Sequence, residues 1–293
     1  RLKKTRQVAE FGDFQTPPSI AQKACASLSR LGLSPKSIVE PTCGKGTFLL
    51  AALELFKDVR MGFGLDINNE YVSATAERLQ TRGYATKTNV RCDDFFKTDW
   101  AEVLRSFPEP ILVVGNPPWV TSAELANLGG KNHPKKSNLR GYAGFDALTG
   151  KSNFDISEWM LTRLLELLQG KQAVLAMLCK TGVARKVLAH AWSRNLVHHA
   201  DMRLVDAKQH FGASVDACFL TCRIDGVPSS LDCSVYMDLD ADFPCRTIGF
   251  RDGQLVADVA SYDRCKHLQA KDRSNYRWRS GVKHDCSAIM ELS

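Results

Sequence analysis

The sequence contains no apolar run that approaches the roughly 20 residues needed to cross a bilayer. The basic start, residues 1–6, is followed by no apolar segment of the kind that a signal peptide carries. These absences argue against a membrane protein and a secreted one. We therefore expect a cytoplasmic protein with no membrane partner.

Cysteine is too sparse for a disulfide scaffold, because ten cysteines are spread over 293 residues and no Cys-x-x-Cys occurs. Cys218 and Cys222 lie four residues apart in an apolar run. No second ligand pair accompanies them, so we expect buried thiols rather than a zinc site. The sequence predicts no metal centre.

A strong excess of one charge is also missing, since 39 basic and 32 acidic residues give a formal net charge of +7. This value permits nucleic-acid binding without demonstrating it. Basic residues concentrate in residues 264–283, where Tyr276 and Trp278 lie among them. Such a segment suits phosphate contacts and base stacking, and it equally suits a solvated surface, so both interpretations stay open.

Short β-branched runs alternate with helical patterns, which predicts an α/β fold with a parallel, doubly wound sheet. The predicted strands are 37–40, 61–66, 86–92, 111–115, 173–179, 196–205, 215–223 and 233–237, and the predicted helices are 19–31, 47–57, 70–82 and 154–168. Residues 120–151 break the alternation. Loops of this length are usually functional or disordered.

Four polar residues stand at or just beyond the ends of the first four predicted strands: Glu40, Asp66, Asp94 and Asn116. The carboxyl ends of parallel strands meet at one edge of a sheet, where α/β proteins bind ligands. The row therefore predicts a ligand cleft along that edge.

The first of these strand ends leads into a glycine turn that contains Gly44 and Gly46. Its spacing matches neither a phosphate-binding P-loop nor a dinucleotide fingerprint. Glu40 would repel a pyrophosphate, whereas it suits a ligand with an ammonium group. Asp66, at the next strand end, is placed to accept both ribose hydroxyls of a nucleoside cofactor.

The segment Asn116-Pro117-Pro118-Trp119 follows a buried apolar strand. Asn116 offers a carbonyl acceptor, and Pro117 lacks an N–H, so a stiff turn can aim a backbone carbonyl at a planar amino group. Trp119 supplies a face for stacking. The same tetrapeptide also fits a proline-rich turn with a core tryptophan.

Taken together, these motifs resemble those of the DNA adenine-N6 methyltransferases of bacterial restriction–modification systems. The resemblance covers residues 11–222. Within the family, this chain resembles the members in which the cofactor motifs come first, the catalytic motif next and target recognition last. It implies a doubly wound, mostly parallel seven-stranded sheet of the S-adenosylmethionine-dependent methyltransferase type. It also implies S-adenosylmethionine as cofactor and double-stranded DNA as partner.

The resemblance assigns a role to each matching position. It implies a cofactor site formed by Gln15, Thr16, Glu40, Gly44, Gly46, Asp66, Asp94, Phe95 and Asn116. The catalytic group would be Asn116, Pro117, Pro118 and Trp119, and the substrate base would contact Trp119 on one face and Phe211 on the other. Residues 152–155 lie where the family has a further motif that lines the cofactor pocket.

The implied reaction is direct methyl transfer to the N6 amino group of adenine after base flipping. Alternatives are a methyltransferase for another planar amino group, such as a protein glutamine amide, an RNA base or cytosine N4. A non-catalytic nucleic-acid-binding subunit is a further alternative.

We expect residues 1–240 to form the catalytic domain and residues 241–293 to form an irregular basic extension. In relatives of this kind, a segment like the end of this extension leads into the target-recognition region. We therefore expect a separate or missing target-recognition module and a cognate restriction endonuclease as partners.

Overall fold

The structure is a computed structural model that describes residues 15–121, 155–197, 199–224 and 231–268. The helices are α1 (Pro18–Arg30), α2 (Thr47–Leu55), α3 (Asn69–Thr81), α4 (Trp100–Arg105), α5 (Ile156–Leu167), α6 (Thr181–Ser193), α7 (Ala207–Phe211) and α8 (Val259–Cys265). The strands are β1 (Ser37–Glu40), β2 (Met61–Asp66), β3 (Thr88–Cys92), β4 (Ile111–Gly115), β5 (Ala173–Lys180), β6 (His199–Asp206), β7 (Asp216–Arg223), β8 (Asp232–Tyr236), β9 (Arg246–Arg251) and β10 (Gln254–Val256).

The strands form one sheet in the order β10-β9-β8-β6-β7-β5-β4-β1-β2-β3. The five strands from β5 to β3 in this order pair in parallel. Strand β7 is antiparallel to both β5 and β6, so β6 runs in the same direction as β5. Strand β8 in turn is parallel to β6.

Both faces of the sheet are covered, which is why the central strands are continuous apolar runs. Ile38 and Leu112 belong to a core shared with helices α1 and α2 on one face. Val39 and Val113, one position later, belong to a core shared with helices α5 and α6 on the other face. This alternation is the period of a β-strand, and it confirms the predicted doubly wound α/β class.

The number of strands corrects the expectation from the sequence. The sheet has ten strands, where seven were expected, because β8, β9 and β10 continue it beyond β6. The predicted irregularity of residues 241–293 is wrong for the described part, which contains β9, β10 and α8. These strands are hard to recognise, since β9 buries only Ile248 and Gly249. The division of the chain at residue 240 stays a prediction.

Four described helices were not predicted, among them α8, whose seven residues lie in the part that was expected to be irregular. Helices α4 and α7 have six and five residues, too few for a clear period, and α6 begins immediately after β5. Most of the loop predicted over 120–151 lies outside the described residues. Cys218 and Cys222 are fully buried thiols, as expected. No helix of the described ranges has the length and apolarity required to span a bilayer.

Candidate active site

The sheet order places the four polar strand ends side by side. Strands β3, β2, β1 and β4 are consecutive neighbours and all parallel, so their carboxyl ends share one edge. Asp94, Asp66, Glu40 and Asn116 therefore follow one another along that edge in this spatial order. The predicted row is confirmed as an arrangement of strand ends.

The turn after β1 requires glycine at two positions. Gly44 and Gly46 have positive φ angles of 49° and 68°. A Cβ on Gly44 would lie 3.1 Å from the side-chain amide of Gln15, and one on Gly46 would lie 2.4 Å from Cγ2 of Thr75. Gln15 also accepts a hydrogen bond from the Lys45 backbone at 3.3 Å. The turn is thus closely covered by the side chains of Gln15 and Thr75.

Asp66 holds the glycine turn against the end of β2. Its Oδ2 accepts a hydrogen bond from the Gly44 backbone N–H at 2.7 Å, and its Oδ1 accepts one from the Asn68 backbone N–H at 2.9 Å. Both carboxylate oxygens are therefore oriented by the backbone. Asn68 in turn caps helix α3 through Glu70.

Glu40 is a buried carboxyl group, only 3% exposed. Burial raises the pKa of Glu40 well above its usual range, and the hydrogen bond from the Leu49 backbone N–H, at 2.8 Å, opposes that rise. The nearby charge of Asp66 raises the pKa further. Such a carboxyl group is stabilised in its charged form by a cation that approaches it.

The end of β3 combines an acid with aromatic rings. Asp94 Oδ1 accepts a hydrogen bond from the Phe96 backbone N–H at 2.9 Å, and Oδ2 pairs with the exposed Lys97 at 3.1 Å. Phe95 is only 5% exposed and packs into the core. The half-buried ring at this end is Phe96, whose centroid lies 5.3 Å from that of Trp159 on α5.

Sequence reasoning did not identify Phe96 and Trp159 as the pair of rings at the end of β3. The Phe-Phe pair after Asp94 was a signal for the first ring, because adjacent residues in an irregular segment can face different sides. Trp159 lies far along the chain, and no local pattern connects it to β3.

Asn116 begins the catalytic-type segment at the end of β4. Its Nδ2 donates a hydrogen bond to Oγ1 of the buried Thr16 at 3.3 Å, across 100 positions of sequence. Glu40 lies beside the same strand end, since a Cβ on Gly115 would be 3.4 Å from Glu40 Cγ. The structure therefore brings two of the predicted cofactor-site residues, Thr16 and Glu40, close to Asn116.

Trp119 and Phe211 are also brought together. Their ring centroids are 5.2 Å apart, and the rings meet edge to face at 62°. Trp119 is 5% exposed, and its Nε1 donates to the Leu178 carbonyl at 3.4 Å. The two rings contact each other directly, and the expected position of a base between them stays a prediction.

Of the motif expected at residues 152–155, only Asp155 lies within the described residues. Its carboxylate caps helix α5 through Ser157 and forms an ion pair with Lys180, at 2.8 Å between Oδ2 and Nζ. No sequence pattern pointed to Lys180, which ends strand β5.

These features define a class of protein. A doubly wound sheet carries a glycine turn after β1, acids at or just beyond the ends of β1 to β3 and an Asn-Pro-Pro-Trp segment after β4, as the resemblance to methyltransferases implied. The sequence model of the N-6 DNA Methylase family matches residues 3–198, about two thirds of the chain. The chain belongs to this family, and the resemblance drawn from the motifs is confirmed.

Similar proteins agree with this membership. The type II methyltransferase M.NspV of Nostoc sp. (strain ATCC 29411 / PCC 7524) is 42% identical over 285 residues, which are 97% of this chain and 58% of the relative. The chain thus spans little more than half the length of that relative.

Two solved structures share the fold. The methyltransferase subunit of a type I restriction-modification system from Streptococcus thermophilus has a TM-score of 0.53 at 16% identity, over 88% of this chain and 53% of that one. The type IIG restriction endonuclease BpuSI has a TM-score of 0.52 at 14% identity, over 77% of this chain and 27% of that one. At such identities the likeness concerns the fold alone.

Proposed function

We propose that this chain transfers a methyl group from S-adenosylmethionine to the N6 amino group of adenine in double-stranded DNA. The observation that carries the proposal is the position of Asn116. It begins an Asn-Pro-Pro-Trp segment beside the strand that ends in Glu40, in a chain of the N-6 DNA Methylase family. The name of the Nostoc relative, a type II methyltransferase, supports the same class of reaction.

The residues around the glycine turn fit S-adenosylmethionine. The ammonium group of its methionine part would offset the burial that raises the pKa of Glu40. Carboxylate oxygens can accept more than one hydrogen bond, so the two oriented oxygens of Asp66 suit the two ribose hydroxyls. Gly44 and Gln15 would approach the methionine part, and Asp94 and Phe95 would border the adenine ring.

When bound, S-adenosylmethionine would supply an electrophilic methyl group on a positive sulfur. Asn116 would accept one hydrogen of the target amino group through Oδ1, and the Pro117 carbonyl would accept the other. Thr16 accepts the hydrogen bond from Asn116 Nδ2 and so fixes which end of the amide meets the substrate. The two acceptors would draw the nitrogen lone pair out of conjugation, so that positioning and electrostatics provide the catalysis.

The target base would leave the DNA helix, at a cost of a few kcal/mol, and stack on Trp119. Stacking on an aromatic side chain contributes about 1–3 kcal/mol per base. Phe211 has to move for the base to enter between the two rings. It ends the short helix α7 and is followed by Gly212 in the left-handed region, so a small backbone change would displace its ring.

Mass spectrometry of nucleosides tests the proposal. DNA of mixed sequence would be incubated with S-adenosylmethionine and either the parent chain or Asn116→Ala. N6-methyladenine is expected with the parent chain and not with Asn116→Ala. Appearance of N4-methylcytosine instead, or absence of any methylated base despite cofactor binding, would contradict the proposed reaction.

We also propose that a target-recognition module, on a separate chain or on further sequence, selects the DNA site, and that a cognate restriction endonuclease cuts unmodified DNA. The name of the Nostoc relative, a type II methyltransferase, supports this context. A bacterial DNA substrate would place the enzyme in the cytoplasm.

A further inference from the structure

The segment that carries the catalytic motif, residues 116–121, leaves β4 outside any helix or strand. Its position therefore depends on individual contacts rather than on a continuous hydrogen-bond ladder. The first of these contacts runs to the sheet, where the Trp119 Nε1 donates to the Leu178 carbonyl near the end of β5.

The next two residues of the segment contact the start of α5. The Val120 carbonyl accepts a hydrogen bond from the Ile156 backbone N–H at 2.9 Å. Thr121 forms an isolated antiparallel bridge with Asp155. The position of the segment thus depends on where Asp155 is held.

Asp155 is held through both oxygens of its carboxylate. Oδ1 accepts hydrogen bonds from the backbone and the hydroxyl of Ser157, within the first turn of α5. Oδ2 accepts from Lys180 Nζ at 2.8 Å. The side chain of Asp155 is 8% exposed and that of Lys180 is 25% exposed, so solvent screens this ion pair little.

Lys180 is the last residue of β5, two positions after Leu178. One strand end therefore holds the segment twice, directly through Trp119 and indirectly through the ion pair to Asp155. The described contacts of the Asp155 side chain are with Ser157 on α5 and with Lys180 on β5, so Lys180 connects this side chain to the sheet.

A second ion pair also binds the first turn of α5, and it offers a matched control. Glu158, one turn further along α5, pairs with Lys186 on α6 at 3.3 Å. The Glu158 side chain is as buried as that of Asp155, at 8% exposure, whereas Lys186 is 55% exposed. Substitution of either lysine removes one ion pair with a buried carboxylate at the start of α5.

We propose that Asp155 and Lys180 are positioning residues for the catalytic segment. Their ion pair fixes the start of α5 to the end of β5, and through Val120 and Thr121 it fixes where Asn116 and Pro117 present their acceptors. The catalytic meaning of this position rests on the proposed methyl transfer. The structural coupling between Lys180 and the segment does not depend on it.

A turnover-independent measurement tests the coupling. The chain has five tryptophans, which 5-fluorotryptophan labelling makes visible by ¹⁹F NMR, and Trp119→Phe assigns the Trp119 resonance. Lys180→Met is expected to shift or broaden that resonance. Lys180→Arg, which keeps the charge, is expected to restore it, and Lys186→Met to leave it at the parental position.

A kinetic measurement then tests the consequence for the reaction. Displacement of a reacting group by about 1 Å costs up to about 100-fold in rate, so we expect Lys180→Met to lower kcat about 10- to 100-fold with the KM for the cofactor within about two-fold. Lys180→Arg should recover most of the loss. Lys186→Met should stay close to the parent.

Lys180→Met leaves a buried carboxylate unpaired and could unfold the chain, so Asp155→Asn is the second variant. Asparagine still caps a helix, and the remaining lysine can reach water. An unmoved Trp119 resonance in the folded variant, or an equal shift with Lys186→Met, would overturn the inference. A parent chain that binds cofactor and methylates no adenine would count against the proposed function instead, while the ¹⁹F result would still decide the inference.

Discussion

The sheet edge at the ends of β3, β2, β1 and β4, which we propose to be catalytic, has two halves that are held in different ways. In the cofactor half, formed by the ends of β1, β2 and β3, the carboxyl groups of Glu40 and Asp66 accept hydrogen bonds from backbone N–H groups of the turn and helix that follow β1. In the base half, formed by residues 116–121 and α7, the rings of Trp119 and Phe211 contact each other.

The difference concerns what each half has to do before the reaction. Groups that are already oriented lose little conformational entropy when a ligand binds. The cofactor half is therefore suited to bind the cofactor before the base half binds DNA. The base half is closed by the contact between Trp119 and Phe211, which a flipped base would have to displace in the proposed reaction. Substitutions in the two halves should therefore separate cofactor affinity from turnover on DNA.

The largest expected effect comes from the acceptor at the boundary between the halves. Asn116→Ala should lower methyl transfer by at least about 100-fold, because loss of one preorganised hydrogen-bonding group in a transition state costs about that much. Cofactor affinity should stay within a few-fold of the parent. Single-turnover methylation and calorimetry on the same preparation would check both parts, and near-normal turnover would show that Asn116 is not the acceptor.

In the cofactor half, Asp66→Ala should weaken binding of S-adenosylmethionine by about 1–3 kcal/mol, the cost of an unmade hydrogen bond to a charged group. The variant also releases the Gly44 backbone N–H from its partner. Calorimetric titration measures the loss. Asp58→Ala, which removes an exposed carboxylate paired with Lys36, is the control and should bind like the parent; equal affinity of all three chains would remove Asp66 from the site.

In the base half, Phe211→Ala should lower kcat/KM for DNA. Loss of a stacking ring costs about 1–3 kcal/mol per base, and we expect a value near the lower end of this range. The loss is partly offset because removal of the ring also opens the closed pocket to the base. Phe211→Leu keeps an apolar cover without an aromatic face and separates the two effects. Steady-state methylation at saturating cofactor is the measurement. A drop in cofactor affinity in either variant would contradict the division into halves.

The smallest expected effect is the pH dependence that Glu40 contributes to stability. Burial raises the pKa of Glu40 in the folded chain above its unfolded value of about 4.3. Its contribution is therefore fully present below the unfolded pKa, and it is lost as the pH rises through the raised folded pKa. The Tm of the cofactor-free chain should fall across this window, and bound S-adenosylmethionine should reduce the fall.

Glu40→Gln supplies the control for this pH dependence, since glutamine has a similar shape and does not titrate. Thermal unfolding of both chains across the window gives the comparison. A Tm profile of the variant that falls as steeply as that of the parent would assign the dependence to other groups.

The parts of the fold that could be predicted are those with a strong local signal. Strands β1, β2 and β4 begin and end where the sequence placed them, because each is a buried apolar run bounded by turn formers. The row of polar strand ends followed directly, since a parallel sheet brings such ends to one edge. Strands β9 and β10 could not be predicted, because β9 is only partly buried and β10 has only three residues.

The contacts within the site were less predictable than its residues. The hydrogen bond between Asn116 and Thr16 and the ion pair between Asp155 and Lys180 join positions far apart in sequence. No periodicity encodes such pairs. The contact between Trp119 and Phe211 was expected only through a shared base, whereas the structure has the rings touching.

The most direct test of the difference between the halves is a calorimetric titration of S-adenosylmethionine into the parent chain without DNA. Because the cofactor half is already oriented, the chain alone should bind the cofactor saturably, with one molecule per chain. The variant Phe211→Ala should bind the cofactor with the same affinity as the parent chain. Absence of saturable binding by the folded parent chain would contradict the assignment of Glu40, Asp66 and the glycine turn as a preformed cofactor site.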